Sequence, residues 1–282
     1  MAQEASARLV TEQASARDGS VRTRLRVLRS SWPLMLRATS LPGPGPLTGW
    51  VCRDAPAACV HLAAGAAGPL GGDRLRLEVD VRAGSSLMLG EVSPTLLLPG
   101  PHGEESHLDI SIRVGAGATL AWRPELAITA RGCRHVTDTR VVLEDGARLL
   151  LREEVLFGRQ GERPGSYRQR LRVRTPGGPL HDQELGVGPA AAGWDGPAVT
   201  AGHRAAGALL LVDPGTRRTT DTALHSPDTA LMTLSGHAVL FSALAHDTSA
   251  LRRRLDHALG RLLTVPPEKP AVTTPEAVTV SS

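Results

Sequence analysis

The chain has 282 residues, 41% of them hydrophobic and 21% charged, a globular composition with enough apolar side chains to bury a large core. No run approaches the roughly 20 consecutive apolar residues of a membrane helix, and residues 1–20 lack the apolar segment of a secretory signal, so a cytoplasmic protein is expected. The net charge of +4 is carried almost wholly by arginine, Lys269 being the single lysine, and an aromatic content of 2% leaves few stacking surfaces for single-stranded nucleic acid or sugars.

Residues 1–20 are small and polar and are expected to form a disordered tail, followed by a single β-rich domain over residues 21–264. The first strong element is GGDRLRLEVDVRAGSSLML, residues 71–89. Leu75, Leu77, Val79 and Val81 alternate with Arg74, Arg76, Glu78, Asp80 and Arg82, the period of a strand with one buried face. Gly84 supplies a turn, after which the chain is expected to go back as a second strand through Leu87 and Leu89.

The same pattern recurs around Gly117 and Gly146, at spacings of 33 and 29 residues. Val81, Val114 and Leu143 stand three residues before the glycines, and Leu87, Leu120 and Leu149 three after. A repeat of this length is one supersecondary unit that cannot bury its apolar face alone, so the copies must stack. The expected fold is all-β: stacked strand repeats forming a helix-like or barrel-like body of two sheets, with one or two α-helices near the C-terminus.

A weaker fourth unit leads from Leu171 and Val173 into Gly177-Gly178, and further strands are expected at Ala208 to Val212 and at Leu231 to Phe241, with Gly236 between them. Asp247-Thr248-Ser249 offers N-cap chemistry to an amphipathic helix carrying Leu251, Leu255, Leu259 and Leu262, which is expected to cover this protein's own body or a partner helix. Residues 265–282, rich in proline and threonine, are expected to be a second disordered tail.

The residues offer little catalytic chemistry. The glycine-rich stretches lack the Gly-Lys-Ser/Thr of a phosphate-binding loop and lead into strands, and no G-x-S-x-G elbow is present. Three cysteines, Cys52, Cys59 and Cys133, do not make a disulfide framework and fit free thiols. Two C-x-H pairs, Cys59/His61 and Cys133/His135, would each present two metal ligands on one strand face, but neither completes a four-ligand site. Glu153 and Glu154 are adjacent and would face opposite ways on a strand, so they are not read as an acid/base pair.

Several blocks in order resemble the UreD (UreH) family of urease accessory proteins, from about Arg24 to Leu263. Gly71, Gly72, Asp73 and Leu75 match the family's G-G-D-x-L signature, and Gly158, Arg159, Gly161 and Glu162 match its G-R…G-E pattern. Ser93-Pro94-Thr95-Leu96 stands where many members carry Ala-Thr-Lys. The resemblance implies a scaffold and metallochaperone component without enzymatic activity, one that binds apo-urease and recruits UreF and, through it, the GTPase UreG for nickel insertion. It implies no tightly bound cofactor and only transient nickel, passed along an internal channel. Partner-binding or channel residues would be Gly71, Gly72, Asp73, Glu78, Asp80, Asp138, Arg159 and Glu162, with neither nucleic acid nor membrane as partner. The competing readings are a β-solenoid carbohydrate-active enzyme, which needs clustered carboxylates and aromatic platforms, and a basic RNA-binding module.

Overall fold

The computed structural model describes residues 2–15, 19–216, 221–235 and 237–264. In chain order the strands are β1 (Glu4–Ser15), β2 (Val21–Arg29), β3 (Leu34–Thr39), β4 (Ala58–Ala64), β5 (Arg74–Val81), β6 (Ser86–Glu91), β7 (Thr95–Leu97), β8 (Ser106–Val114) and β9 (Thr119–Arg123). They continue as β10 (Ala127–Thr129), β11 (Arg134–Leu143), β12 (Arg148–Leu156), β13 (Ser166–Thr175), β14 (Gly178–Val187), β15 (Ala205–Val212), β16 (Thr229–Ser235) and β17 (Ala238–Ala245). Two α-helices, the short α1 (Pro46–Val51) and α2 (Thr248–Leu263) at the C-terminal side, and one 3-10 turn (Thr222–Leu224) complete the described elements.

These strands form two sheets, as expected. The short sheet has seven strands in the order β14-β13-β11-β8-β5-β1-β2, and the long sheet has ten, with β16-β17-β15-β12-β9-β6-β4-β3 as its main path. Within each sheet the repeat strands run parallel: β5, β8, β11 and β13 in one, β6, β9 and β12 in the other. The expected return at Gly84 is therefore corrected. The glycine turn carries the chain from one sheet to the other, so its two strands face each other across the core and are not hydrogen-bonded neighbours. Period-2 patterning reports which face is buried and is silent on whether a turn closes a hairpin or an arch.

The three turns also stack on one another. Gly84 N–H donates to Ala116 O at 3.0 Å and Gly117 N–H to Asp145 O at 2.9 Å, so each turn extends the ladder of its neighbour. Their φ angles of +66°, +61° and +68° lie in the left-handed region, where a side chain is costly. By contrast, the fourth unit is a true antiparallel hairpin: β13 and β14 pair within the short sheet around Pro176-Gly177.

The parallel middle is flanked by antiparallel pairs: β1 with β2 and β3 with β4 on one side, and β13 with β14, β12 with β15, and β15 with β17 on the other. The expectation of a disordered N-terminal tail is corrected at residues 4–15, because β1 lies between β2 and β5 in the sheet. Ala5, Ala7, Leu9 and Thr11 alternate inward as Leu75, Leu77, Val79 and Val81 do beside them, but the small side chains mute the apolar signal. Residues 265–282 and Gly236 lie outside the described residues.

The main core fills the space between the sheets, with Leu77, Val79, Val81, Ile112, Val114, Leu143, Leu149 and Leu151 among its members. A second core lies on the outer face of the long sheet under α2, where Leu251, Leu255, Leu259 and Leu262 meet Leu209, Leu211, Val239 and Phe241. The amphipathic helix thus covers its own body, capped by Asp247, whose Oδ1 accepts from Ala250 N–H at 2.7 Å. At the α1 end, buried Asp213 accepts from Trp50 Nε1 at 2.9 Å and Arg53 Nη2 at 3.1 Å. Burial opposes its ionisation, but these bonds hold its carboxyl below the usual range.

No atom lies within 4 Å of a Cβ built at Gly117, so the cost of a side chain there is backbone strain alone. Gly117→Ala is expected to lower stability by about 1–2 kcal/mol, and Gly117→Asn, which tolerates the left-handed region, by clearly less. Denaturant midpoints of the two variants check this; a neutral alanine would sink the account of the turn.

Candidate functional site

The inner faces of the two sheets change character along the strands. Near the glycine turns the inward rows of the repeat strands are apolar, as in Val79, Ile112, Val141 and Val173, which lie side by side in register. Four residues back toward the strand starts the corresponding row reads Leu75, Leu108, Thr137 and Gln169, and the short sheet ends in His135 and Tyr167. On the long sheet, counting in twos from Leu87 and Leu89 brings Glu91 inward, and from Leu149 and Leu151 brings Glu153 inward. Both glutamates stand seven residues after a turn glycine, and Pro124 holds the equivalent place in the middle repeat.

This polar end holds a row of three cavities. The first is bordered by Asp73, Leu75, Glu91 and Thr95, the second by Glu91, Thr95, His135, Thr139, Glu153 and Gln169, and the third by Glu153, Gln169, Gln183 and Thr200. Neighbours share walls, Glu91 and Thr95 between the first two and Glu153 and Gln169 between the last two. Their volumes are about 110, 70 and 260 Å³.

Among the described residues neither inward glutamate has an ion-pair partner. Burial pushes the carboxyls of Glu91 and Glu153 each up to about 7, and hydrogen bonds, from Glu125 N–H to Glu91 Oε2 at 3.1 Å and from the Gln169 side chain to Glu153, offset only part of that. Thr139, fully buried, leaves its hydroxyl without a partner. His135 contacts Ser106 Oγ through Nδ1 at 2.7 Å and Thr137 Oγ1 through Nε2 at 3.1 Å, and burial pushes its pKa down to about 3, so the ring is neutral. The space can therefore accept a proton or a cation at two sites without displacing a resident countercharge.

The sequence-derived residues are distributed differently from expectation. Gly71 sits where a Cβ would come within 2.4 Å of Gly100 N and 2.5 Å of Glu104 O, so its role is close backbone approach. Asp73 accepts from Gln3 N–H and Leu70 N–H, both at 2.9 Å, tying the Gly71-Gly72 turn to the start of β1 while bordering the first cavity. Glu78, Asp80 and Asp138 are corrected as channel-wall candidates. They alternate with the inward leucines and valines and so lie on the outer face of the short sheet, where Glu78 faces Arg8 at 3.8 Å and Asp138 meets Arg140 and Arg172. Arg159 and Glu162 form a bidentate pair at 2.7 and 2.8 Å across an exposed turn, and that pairing holds the Glu162 carboxyl down at about 2.

The C-x-H pairs do not converge. Thr39 Oγ1 bridges Cys59 Sγ at 3.3 Å and His61 Nδ1 at 2.8 Å on the outer face of the long sheet, whereas Cys133 lies in an apolar cluster that pushes its thiol up to about 11. Among the described residues no three His, Cys, Asp or Glu side chains gather as a metal-binding group. The aromatic side chains do not form a sugar platform either: Trp50, Trp122, Phe157, Tyr167 and Phe241 are buried, Trp194 packs edge-on against Phe157, and Trp32 is the one exposed aromatic among the described residues. No described helix is long and apolar enough to cross a membrane.

Comparison with known proteins agrees with the resemblance. The family described as UreD urease accessory protein matches residues 3–274. A urease accessory protein UreD of Streptomyces avermitilis is 43% identical over 247 residues, covering 87% of this chain and 93% of its own. UreD 3 of Streptomyces griseus is 43% identical over 267 residues, covering 93% and 98%. UreD of a Parafrankia species is 39% identical over 265 residues, covering 87% and 85%.

The two inward glutamates make stability depend on pH in a defined direction. Their folded values lie above the ordinary 4.5, so their neutral forms support the fold, and that support is lost as pH rises from 4.5 through 7. The Glu91→Gln, Glu153→Gln chain is expected to match the parent at pH 4.5 and to exceed it by about 1–3 kcal/mol at pH 8. Denaturant unfolding at both pH values decides; a constant difference would mean that the carboxyls are already paired or solvated.

Proposed function

Because the chain belongs to the UreD family of urease accessory proteins, we propose that it serves urease maturation as a non-catalytic scaffold and nickel conduit. In this reading it binds apo-urease, recruits UreF and through it the GTPase UreG, and passes nickel to the urease active site as transient cargo. The observation that carries the conduit is the row of cavities with its two unpaired inward carboxyls. An anionic, desolvated passage lowers the cost of moving a divalent cation through a protein interior, and spaced single carboxylates hold such an ion more weakly than a closed ligand cage does.

The scaffold role is consistent with the rest of the chain. The stacked sheets give a rigid body, and the residues of the family's G-G-D and G-R…G-E patterns secure turns in that body, so they act through shape.

The test uses cells carrying the urease operon with and without this gene. Without it, urease protein is expected at its normal level with nickel and activity both lost. The Glu91→Gln, Glu153→Gln variant is expected to bind its partners as before in a pull-down but to lower nickel per urease at least fivefold. Fully nickel-loaded urease in the absence of the gene would overturn the maturation role, and full loading by the double variant would overturn the conduit.

A further inference from the structure

The long sheet is interrupted. β6 and β9 pair as far as Gly90 and Arg123, and pairing resumes only between β7 and β10, at Thr95 and Ala127. On the next strand, β12 pairs with β9 as far as Leu151 and with β10 again from Val155. The ladder between these strands therefore skips residues 91–94, 124–126 and the facing side of residues 152–154, although Val92 N–H still donates to Leu62 O of β4 and Leu126 O accepts from Thr95 N–H at the far edge of the gap. Pro94 and Pro124 fall in the break and have no N–H to give to a ladder. Glu125 N–H, which a continuous sheet would engage, donates instead to the side chain of Glu91.

Different compartments meet at this break. Inside it is the middle cavity, with Glu91, Glu153 and the unpartnered Thr139 hydroxyl. Outside it is a groove of about 400 Å³ beneath the start of α2, lined by His61, Gly90, Arg123, Arg152, Arg252 and Asp256. Cavity and groove share Glu91, Pro124, Glu125 and Glu154 as walls, so they are separated by a single layer of residues. Across the mouth of the break, Arg252 of α2 holds Glu125 through Nη2 at 2.5 Å and Glu154 through Nε at 3.3 Å. A second ion pair, between Arg152 and Asp256, ties the same helix to β12 beside the break.

We propose that the break is a side port between the groove and the interior cavity for a small cation, and that the Glu125–Arg252 pair is its latch. The inference rests on the reading of the cavity as a cation passage, and adds to it a lateral entrance or exit independent of the ends of the stack. An ion pair is suited to this use because it fixes the mouth when closed and its halves are soluble when apart. At a partly exposed site its net contribution is small enough for a bound partner or an arriving cation to exchange with it. A cation at the mouth competes with Arg252 for Glu125 and so opens the route it is to take.

Chemical access tests the port apart from urease. In the full-length chain carrying Glu153→Cys, modification of residue 153 by the small cation 2-aminoethyl methanethiosulfonate is followed by peptide mass spectrometry. Arg252→Ala and Glu125→Gln are each expected to accelerate it at least fivefold. Asp256→Ala, which removes the neighbouring helix tie but leaves the latch, is expected to change it less than twofold. A Gln183→Cys chain reports the far cavity, and its rate is expected not to respond to the latch variants. A rate at residue 153 that ignores both latch variants overturns the port, as does equal acceleration by Asp256→Ala or at residue 183, which would mean general loosening. Because the readout is labelling, failure of the port leaves the nickel content of urease to judge the conduit separately.

Discussion

The structure depends on the hydrogen-bonded stacking of the three glycine turns. Because each turn donates to the next, the repeats are held in fixed register, and a residue at a given distance from its glycine must lie in the same column as its counterparts. That constraint brings Leu87, Leu120 and Leu149 together as core. Seven residues after their glycines stand Glu91, Pro124 and Glu153, where that register ends and slips by one residue, from Gly90 beside Arg123 to Thr95 beside Ala127, and the core gives way to cavities. The polar interior thus begins where the register that generates the apolar one ends.

Holding two carboxyls in that column opposes stability, since neither has a cation beside it and both are pushed toward the neutral form by burial. The apolar rows at the turn end are long enough to sustain this: Val81, Val114, Leu120 and Leu149 have essentially no exposed surface. One end of the stack supplies cohesion and the other supplies chemistry. The chain can bear an interior unlike that of a simple β-sandwich because the two are separated along the strands.

Much of this organisation was legible in the sequence. Alternation about Gly84, Gly117 and Gly146 located the repeat strands and their buried faces, and leucine spacing after Asp247 located α2. Alternation is a local signal, however, and could not tell an arch between sheets from a hairpin. Nor could it recognise β1, where Leu9 is the one large apolar side chain among the inward Ala5, Ala7, Leu9 and Thr11. Counting in twos past Leu89 and Leu151 reaches Glu91 and Glu153, so the inward carboxyls were present in the pattern. Adjacency along the sequence does not reveal them, because the two carboxyls belong to different repeats. The same counting puts Glu78, Asp80 and Asp138 outside the passage, although they stand on the strands that enclose it. The break in the long sheet had only Pro94 and Pro124 to mark it.

The antiparallel pairs on either side of the parallel middle bear on behaviour at high concentration. A stack of parallel coils has no intrinsic end, since any terminal coil is a template for the next copy, and such bodies can polymerise into fibres. Here β2 closes one end of the short sheet with Arg22, Arg24, Arg26 and Arg29 along an edge strand, and β14 closes the other as the return arm of a hairpin. A second molecule approaching β2 meets like charge where it would need a neutral ladder. The chain limits its own length, and the arginines that dominate its composition act in part as a stop signal against end-to-end growth.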